Sequence, residues 1–181
     1  LHIPFEAACV LVRDRRAHRE AFALTPEYLE KTERGLASGA LWFSEYGLQL
    51  SRGFRALKVW LSIKEHGLDR FGRLIDRNIA QAHELAALVQ AEPDLELLAP
   101  VATNIVCFRY DPGGLSDEQL NALNEELLIR LHESGIAAPS YTTLDGRYCL
   151  RAAIVNYRTT SADLPVLVGA VREIGASLPR P

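Results

Sequence analysis

Asp145-Gly146 stands between two extended runs, residues 141–144 and 147–157, and this dipeptide is a strong local signal for a two-residue β-hairpin because both turn positions need a positive φ. Ahead of the hairpin, Ser116 and Gln119 make a capping-box signature for a helix whose apolar stripe is Leu120, Leu123, Leu127 and Leu131, stopped by Gly135. Residues 94–99 and 104–110 read as two short strands. The second alternates an Ile105/Cys107/Arg109 face with a Val106/Phe108/Tyr110 face. Thr160 with Asp163 opens a last helix over 162–174, and the tail SLPRP is expected to fray. Strand, strand, helix, hairpin and helix together predict a small antiparallel or mixed sheet with its helices on one face.

The first part is organised differently. Residues 1–12 read as a buried strand whose preceding sequence is missing, as in the later part of a longer polypeptide. Thr25-Pro26-Glu27 offers a helix start for a short helix over 28–31, and the glycine-punctuated stretch 35–47 predicts a long loop of the kind that serves as a lid or subunit contact. Residues 54–65 return to helical order and close at His66-Gly67. A longer helix then carries Ile75, Ile79, Ala82, Ala86 and Val89 as one stripe and ends at Pro93. The break near 90–93 predicts two parts, residues 1–92 and 93–181.

Of 181 residues, 48% are hydrophobic and 24% charged, which excludes a disordered tail or a collagen-like rod. A formal charge of -3 provides no basic field for nucleic acid or an anionic membrane. The longest nearly apolar stretch, residues 7–12, is far below the roughly 20 residues that span a bilayer. Three cysteines make no complete disulfide framework, and the expected setting is a reduced cytoplasm. The five histidines never fall at zinc-like spacing, and no G-x-G-x-x-G, P-loop or G-x-S-x-G occurs, so no metal or nucleotide site is expected.

Arg151 is the residue that most invites a chemical role. It lies in an otherwise apolar strand, so its guanidinium must be paired or face a binding cavity; the two readings are capture of a substrate carboxylate or an edge strand with a structural acid. Ser51, Arg52, Arg55 and Lys58 form a basic segment that suits either an anion or a solvated face. Tyr28 is a proton donor only if it faces a cleft. Lysine is scarce, Lys31, Lys58 and Lys64 against 17 arginines.

Five blocks in order, IPFEAACVLVRD at 3–14, the run at 23–29 ending TPEYL, SRGFRALKVW at 51–60, NIVCFRY at 104–110 and YCLRAAIVNYRTTSADL at 148–164, resemble the C-terminal part of the group II pyridoxal-phosphate-dependent amino-acid decarboxylases. The resemblance implies an α/β fold: the end of the large cofactor domain of a fold type I enzyme over 1–92, with catalytic loop and connecting helices, then a small α+β C-terminal domain over 93–181. It implies pyridoxal 5'-phosphate as cofactor, a homodimer with shared active sites, and decarboxylation of an aromatic or otherwise neutral L-amino acid. The alternatives are transamination or oxidative deamination on the same fold, or a non-catalytic interaction module.

By the same resemblance the Schiff-base lysine belongs two positions ahead of Leu1, and none of Lys31, Lys58 and Lys64 takes its place. Tyr28 matches the tyrosine of the catalytic loop that protonates the reacting carbon. Ser51 matches a substrate-pocket position, with Arg52 a nearby contributor to the cofactor site, and Arg151 matches the arginine that the glutamate branch uses for the substrate carboxylate. Gly53 stands where the commoner form of the basic motif has a second arginine.

Overall fold

The computed structural model describes residues 3, 4, 6–23, 34, 35, 38 and 41–179, which divide into two compact units, 1–67 and 68–181. In the first unit, α1 (Arg15–Phe22) starts at Asp14, whose carboxylate accepts from the main-chain N–H groups of Arg16 and Ala17, each at 2.9 Å. A 3-10 turn (Phe43–Tyr46) and α2 (Arg55–His66) follow, and Gly67 ends α2 with its N–H on the Ile63 carbonyl.

Residues 6–12 form no strand and are exposed, Leu11 to 93%. The buried strand expected here is corrected: a strand needs neighbours for its N–H and C=O groups, and the described residues supply none. The sequence reading also missed α1, whose charged composition carries no apolar stripe. The short helix expected over 28–31 lies outside the described residues, as do residues 36, 37, 39 and 40 of the loop expected over 35–47, whose later part holds the 3-10 turn.

The second unit holds α3 (Leu68–Ala91), β1 (Leu95–Leu97), β2 (Ile105–Tyr110), α4 (Asp117–Ser134), β3 (Ser140–Leu144), β4 (Arg147–Ala153) and α5 (Asp163–Ser177). The four strands form one antiparallel sheet in the order β1, β2, β4, β3. Asp145 (φ 49°) and Gly146 (φ 79°) make the hairpin turn, both left-handed as a type I′ turn requires. Ser116 caps α4 in a full capping box, and Gly135 closes it at φ 70°.

The core lies between one face of the sheet and the helices α3, α4 and α5. Val106, Phe108, Tyr110, Leu150 and Ala152 meet Leu85 and Val89 of α3, Leu123, Leu127 and Leu131 of α4, and Leu164, Val168 and Val171 of α5. Burying each large side chain here contributes roughly 1.5–3 kcal/mol. The stripe predicted for α3 is right in its second half. In the first half Phe71 and Asn78 are buried while Ile75 is 49% exposed, and Gln81 is buried beside Ala82. Helix α3 therefore packs in the second unit although the sequence grouped it with the first part. Leu178, expected to fray, is buried, because the chain leaves α5 across the core.

Candidate functional site

β4 lies inside the sheet, with β2 on one side and β3 on the other, so the edge-strand reading of Arg151 does not hold. Arg151 pairs with Ser140 across the ladder, and the two side chains meet: the guanidinium donates to Ser140 Oγ at 3.3 Å, and that hydroxyl donates to the Arg151 carbonyl at 3.2 Å. Among the described residues no carboxylate pairs with Arg151. Most of its five N–H donors are left for a ligand.

Arg151 opens on a cleft of about 460 Å³ whose walls include Leu85, Ile136, Pro139, Leu164 and Val166. Asp163, also on the wall, is occupied by the Thr160 main-chain N–H at 2.8 Å and hydroxyl at 3.1 Å, which start α5. A cleft with one guanidinium on its wall offers a place for a small organic carboxylate.

The strand faces predicted for β2 are both present, and the one away from the core carries Arg109. Arg109, 4% exposed, donates to Glu96 at 2.7 Å and to Asp117 at 2.8 Å, and Glu96 also takes Arg147 at 3.0 Å. Burial opposes the charge of Arg109, yet the hydrogen bonds to Asp117 and Glu96 outweigh it and hold its pKa above the ordinary value. This arginine is structural, since its donors are engaged within the fold. Cys149, fully buried beside Cys107, is pushed up to about 11, first by burial and then by its neighbour thiol. It stays protonated at neutral pH and is no nucleophile.

In the first unit Ser51 is exposed, in irregular chain ahead of α2. Arg52 donates to the Phe43 carbonyl at 2.8 Å and lies 5.7 Å from the Phe43 ring centroid, so it braces the 3-10 turn. Arg55 holds Gln49 at 3.0 Å and Glu6 at 2.6 Å. Lys64 lies over Trp60, 5.9 Å from the ring centroid, and Lys58 is half-buried. Tyr28 and Lys31 lie outside the described residues.

The sequence reading missed a second cluster. Arg19 of α1 gives two N–H bonds, 2.8 and 3.1 Å, to Glu45 of the 3-10 turn, and the hydrogen bond and charge of Glu45 hold the Arg19 pKa above its ordinary value. His18 meets Tyr46 edge-on at 5.4 Å. The only sequence signal for this pairing was opposite charge, which many residues share.

Among the described residues no group of three or more His, Cys, Asp or Glu side chains is placed to hold a metal, and no helix is long and apolar enough to cross a membrane. The second unit is a small α+β module with Arg151 on the wall of its cleft and no lysine lining that cleft. Residues 1–111 match the pyridoxal-dependent decarboxylase conserved domain. The chain is 36% identical over 162 residues to an aromatic-L-amino-acid decarboxylase of Bacillus atrophaeus, covering 89% of this chain and 34% of that protein. It is 31% identical over 150 residues to a phenylacetaldehyde synthase of Arabidopsis thaliana, covering 83% of this chain and 30% of that protein. Mouse CSAD superposes with a TM-score of 0.75 at 18% identity, over 91% of this chain and 35% of that one, a likeness of fold.

The chain belongs to the pyridoxal-dependent decarboxylase family. It spans about a third of the length of the curated relatives it matches.

Proposed function

We propose that this chain is the C-terminal part of a pyridoxal-phosphate-dependent decarboxylase acting on an aromatic or otherwise neutral L-amino acid, in a cytoplasmic homodimer with shared active sites. In this reading residues 1–92 carry the end of the cofactor domain, with α3 as a connecting helix, and 93–181 are the small C-terminal domain. The observation that carries it is Arg151: a guanidinium on an inner strand, without a carboxylate partner among the described residues, on the wall of a cleft.

The described residues do not hold pyridoxal phosphate by themselves, since no lysine lines the cleft and Lys64 is laid on Trp60. When bound, that cofactor draws electrons from the substrate's α-carbon and so weakens its bond to the carboxylate. The residues of this chain act on the substrate. Arg151 orients a carboxylate by charge-assisted hydrogen bonds, Ser51 borders the side-chain pocket with Arg52 bracing the chain beside it, and Tyr28 delivers a proton to the carbon that has lost carbon dioxide.

Aldehyde formation is the second reading, favoured by the likeness to a phenylacetaldehyde synthase. One experiment serves both. The full-length protein, loaded with pyridoxal phosphate, is given tyrosine, tryptophan, dihydroxyphenylalanine, histidine, glutamate, aspartate and diaminobutyrate, with carbon dioxide, amine and carbonyl product measured together. Amine equal to carbon dioxide from an aromatic substrate is expected. Preference for glutamate or aspartate overturns the substrate class, and carbonyl in place of amine establishes the second reading.

A further inference from the structure

The arginines of the sheet, Arg109 on β2 and Arg147 and Arg151 on β4, meet different partners. Arg109 is held by Glu96 and Asp117, and Arg147 by Glu96, so each of these two guanidiniums is matched by a carboxylate of the fold. The cross-strand neighbours of Arg151 are Cys107 on β2 and Ser140 on β3, and both are neutral. Arg151 Nη1 donates to Ser140 Oγ at 3.3 Å, and that hydroxyl donates in turn to the Arg151 main-chain carbonyl at 3.2 Å. A hydroxyl has a single proton, and giving it to the carbonyl turns the oxygen lone pairs toward the guanidinium. Ser140 thus ties the head of Arg151 to its own backbone without adding a charge, and both residues line the same cleft.

We propose that Ser140 is a positioning residue: the neutral cross-strand partner that aims the Arg151 guanidinium while leaving its charge for the carboxylate of an incoming ligand. The inference rests on the reading of Arg151 as a carboxylate-binding residue, and it supplies the reason why this arginine, rather than Arg109 or Arg147, is available for that task. One position on β3 then decides what Arg151 can bind. A carboxylate at 140 would take the guanidinium within the fold, as Glu96 takes Arg109 across its own ladder, and would repel a second carboxylate. A methyl group there would leave the guanidinium unaimed, so that more of its freedom is lost when a ligand binds.

The test uses the full-length protein loaded with pyridoxal phosphate and measures, by calorimetry, the Kd of hydrocinnamate, an aromatic carboxylate, beside that of its neutral counterpart, hydrocinnamyl alcohol. Ser140→Asp should weaken hydrocinnamate at least about tenfold and leave the alcohol within about twofold, because only the acid meets the added charge. Ser140→Asn, equal in size to aspartate and neutral, should stay near wild type for both. Ser140→Ala should weaken hydrocinnamate about threefold, the loss of one hydrogen bond that aims the guanidinium, and should raise substrate KM more than it lowers kcat. Ser140→Thr, which keeps the hydroxyl, should restore both values. Equal weakening by Ser140→Asp and Ser140→Asn, or equal losses for the acid and the alcohol, would make residue 140 a packing position and overturn the proposal. Unchanged hydrocinnamate binding in Ser140→Asp and Ser140→Ala, with binding weakened in Arg151→Met, also overturns it. Unchanged binding in Arg151→Met overturns instead the underlying reading of Arg151.

Discussion

Asn124 of α4 satisfies both main-chain polar groups of Tyr110 at the end of β2: its Oδ1 accepts from the Tyr110 N–H and its Nδ2 donates to the Tyr110 carbonyl, each at 2.8 Å. Its Nδ2 also reaches the Leu120 carbonyl at 2.9 Å, and the side chain is fully buried. A side-chain amide here does the work of a neighbouring strand residue. It fixes how α4 sits on the sheet.

Asn124→Leu should therefore lower stability by about 2–4 kcal/mol, since it leaves a buried donor and acceptor unpaired. Asn124→Asp should also destabilise, because a carboxylate accepts from the N–H but cannot donate to the two carbonyls. Urea unfolding with an unchanged m value is the measurement. A loss under 1 kcal/mol for the leucine variant would mean that water replaces the amide.

Two glycines of α5 should answer the same substitution with opposite signs. A Cβ at Gly175 would stand 2.7 Å from Cγ of the Tyr110 ring, whereas at Gly169 nothing lies within 4 Å. Gly169→Ala should stabilise by about 0.5–1 kcal/mol through helix propensity. Gly175→Ala should instead cost about 1–3 kcal/mol as the ring is displaced. Thermal unfolding of both variants beside wild type decides it.

Alkaline pH should weaken the second unit through Cys149. Its folded pKa, about 11, lies above the ordinary thiol value of 9.0, so the stability tied to the neutral thiol is whole below pH 9 and lost as pH rises through 11. The loss should be on the order of 2 kcal/mol across that window. Burial also raises Tyr148, which steepens the fall above pH 10. Urea midpoints at pH 8, 9, 10 and 11 should fall less steeply for Cys149→Ala than for wild type.

Arg151→Met should change stability by less than about 0.5 kcal/mol, since its side-chain partner is the Ser140 hydroxyl at the surface of the sheet. In the full-length protein it should raise substrate KM by roughly 10- to 100-fold, the loss of one charge-assisted carboxylate contact. A large stability loss with KM unchanged would make Arg151 structural and sink its role in the cleft.

Arg109 shows where the sequence stops being informative. It shares a strand with Cys107 and a residue type with Arg151, yet Glu96 and Asp117 take its donors while no carboxylate among the described residues takes those of Arg151. Both look alike along the chain. Only the ladder register, Glu96 opposite Arg109 and Ser140 opposite Arg151, separates a cation engaged by carboxylates from one that meets only a hydroxyl.

What the sequence determined by itself was local. The Ser116 capping box, the leucine stripe of α4, the Asp145-Gly146 turn and the ends of α2 and α3 each depend on residues within a few positions of one another, where backbone sterics and helix periodicity act without reference to the rest of the chain. The five blocks also located the family. Tertiary structure decided which side of α3 is buried, turning Asn78 and Gln81 inward and Ile75 outward, drew Leu178 into the core, and brought Arg19 to Glu45 across 26 positions. Those outcomes depend on which surfaces meet, because burial and ion pairing are set by the partner across the gap, and no window along the chain contains that partner.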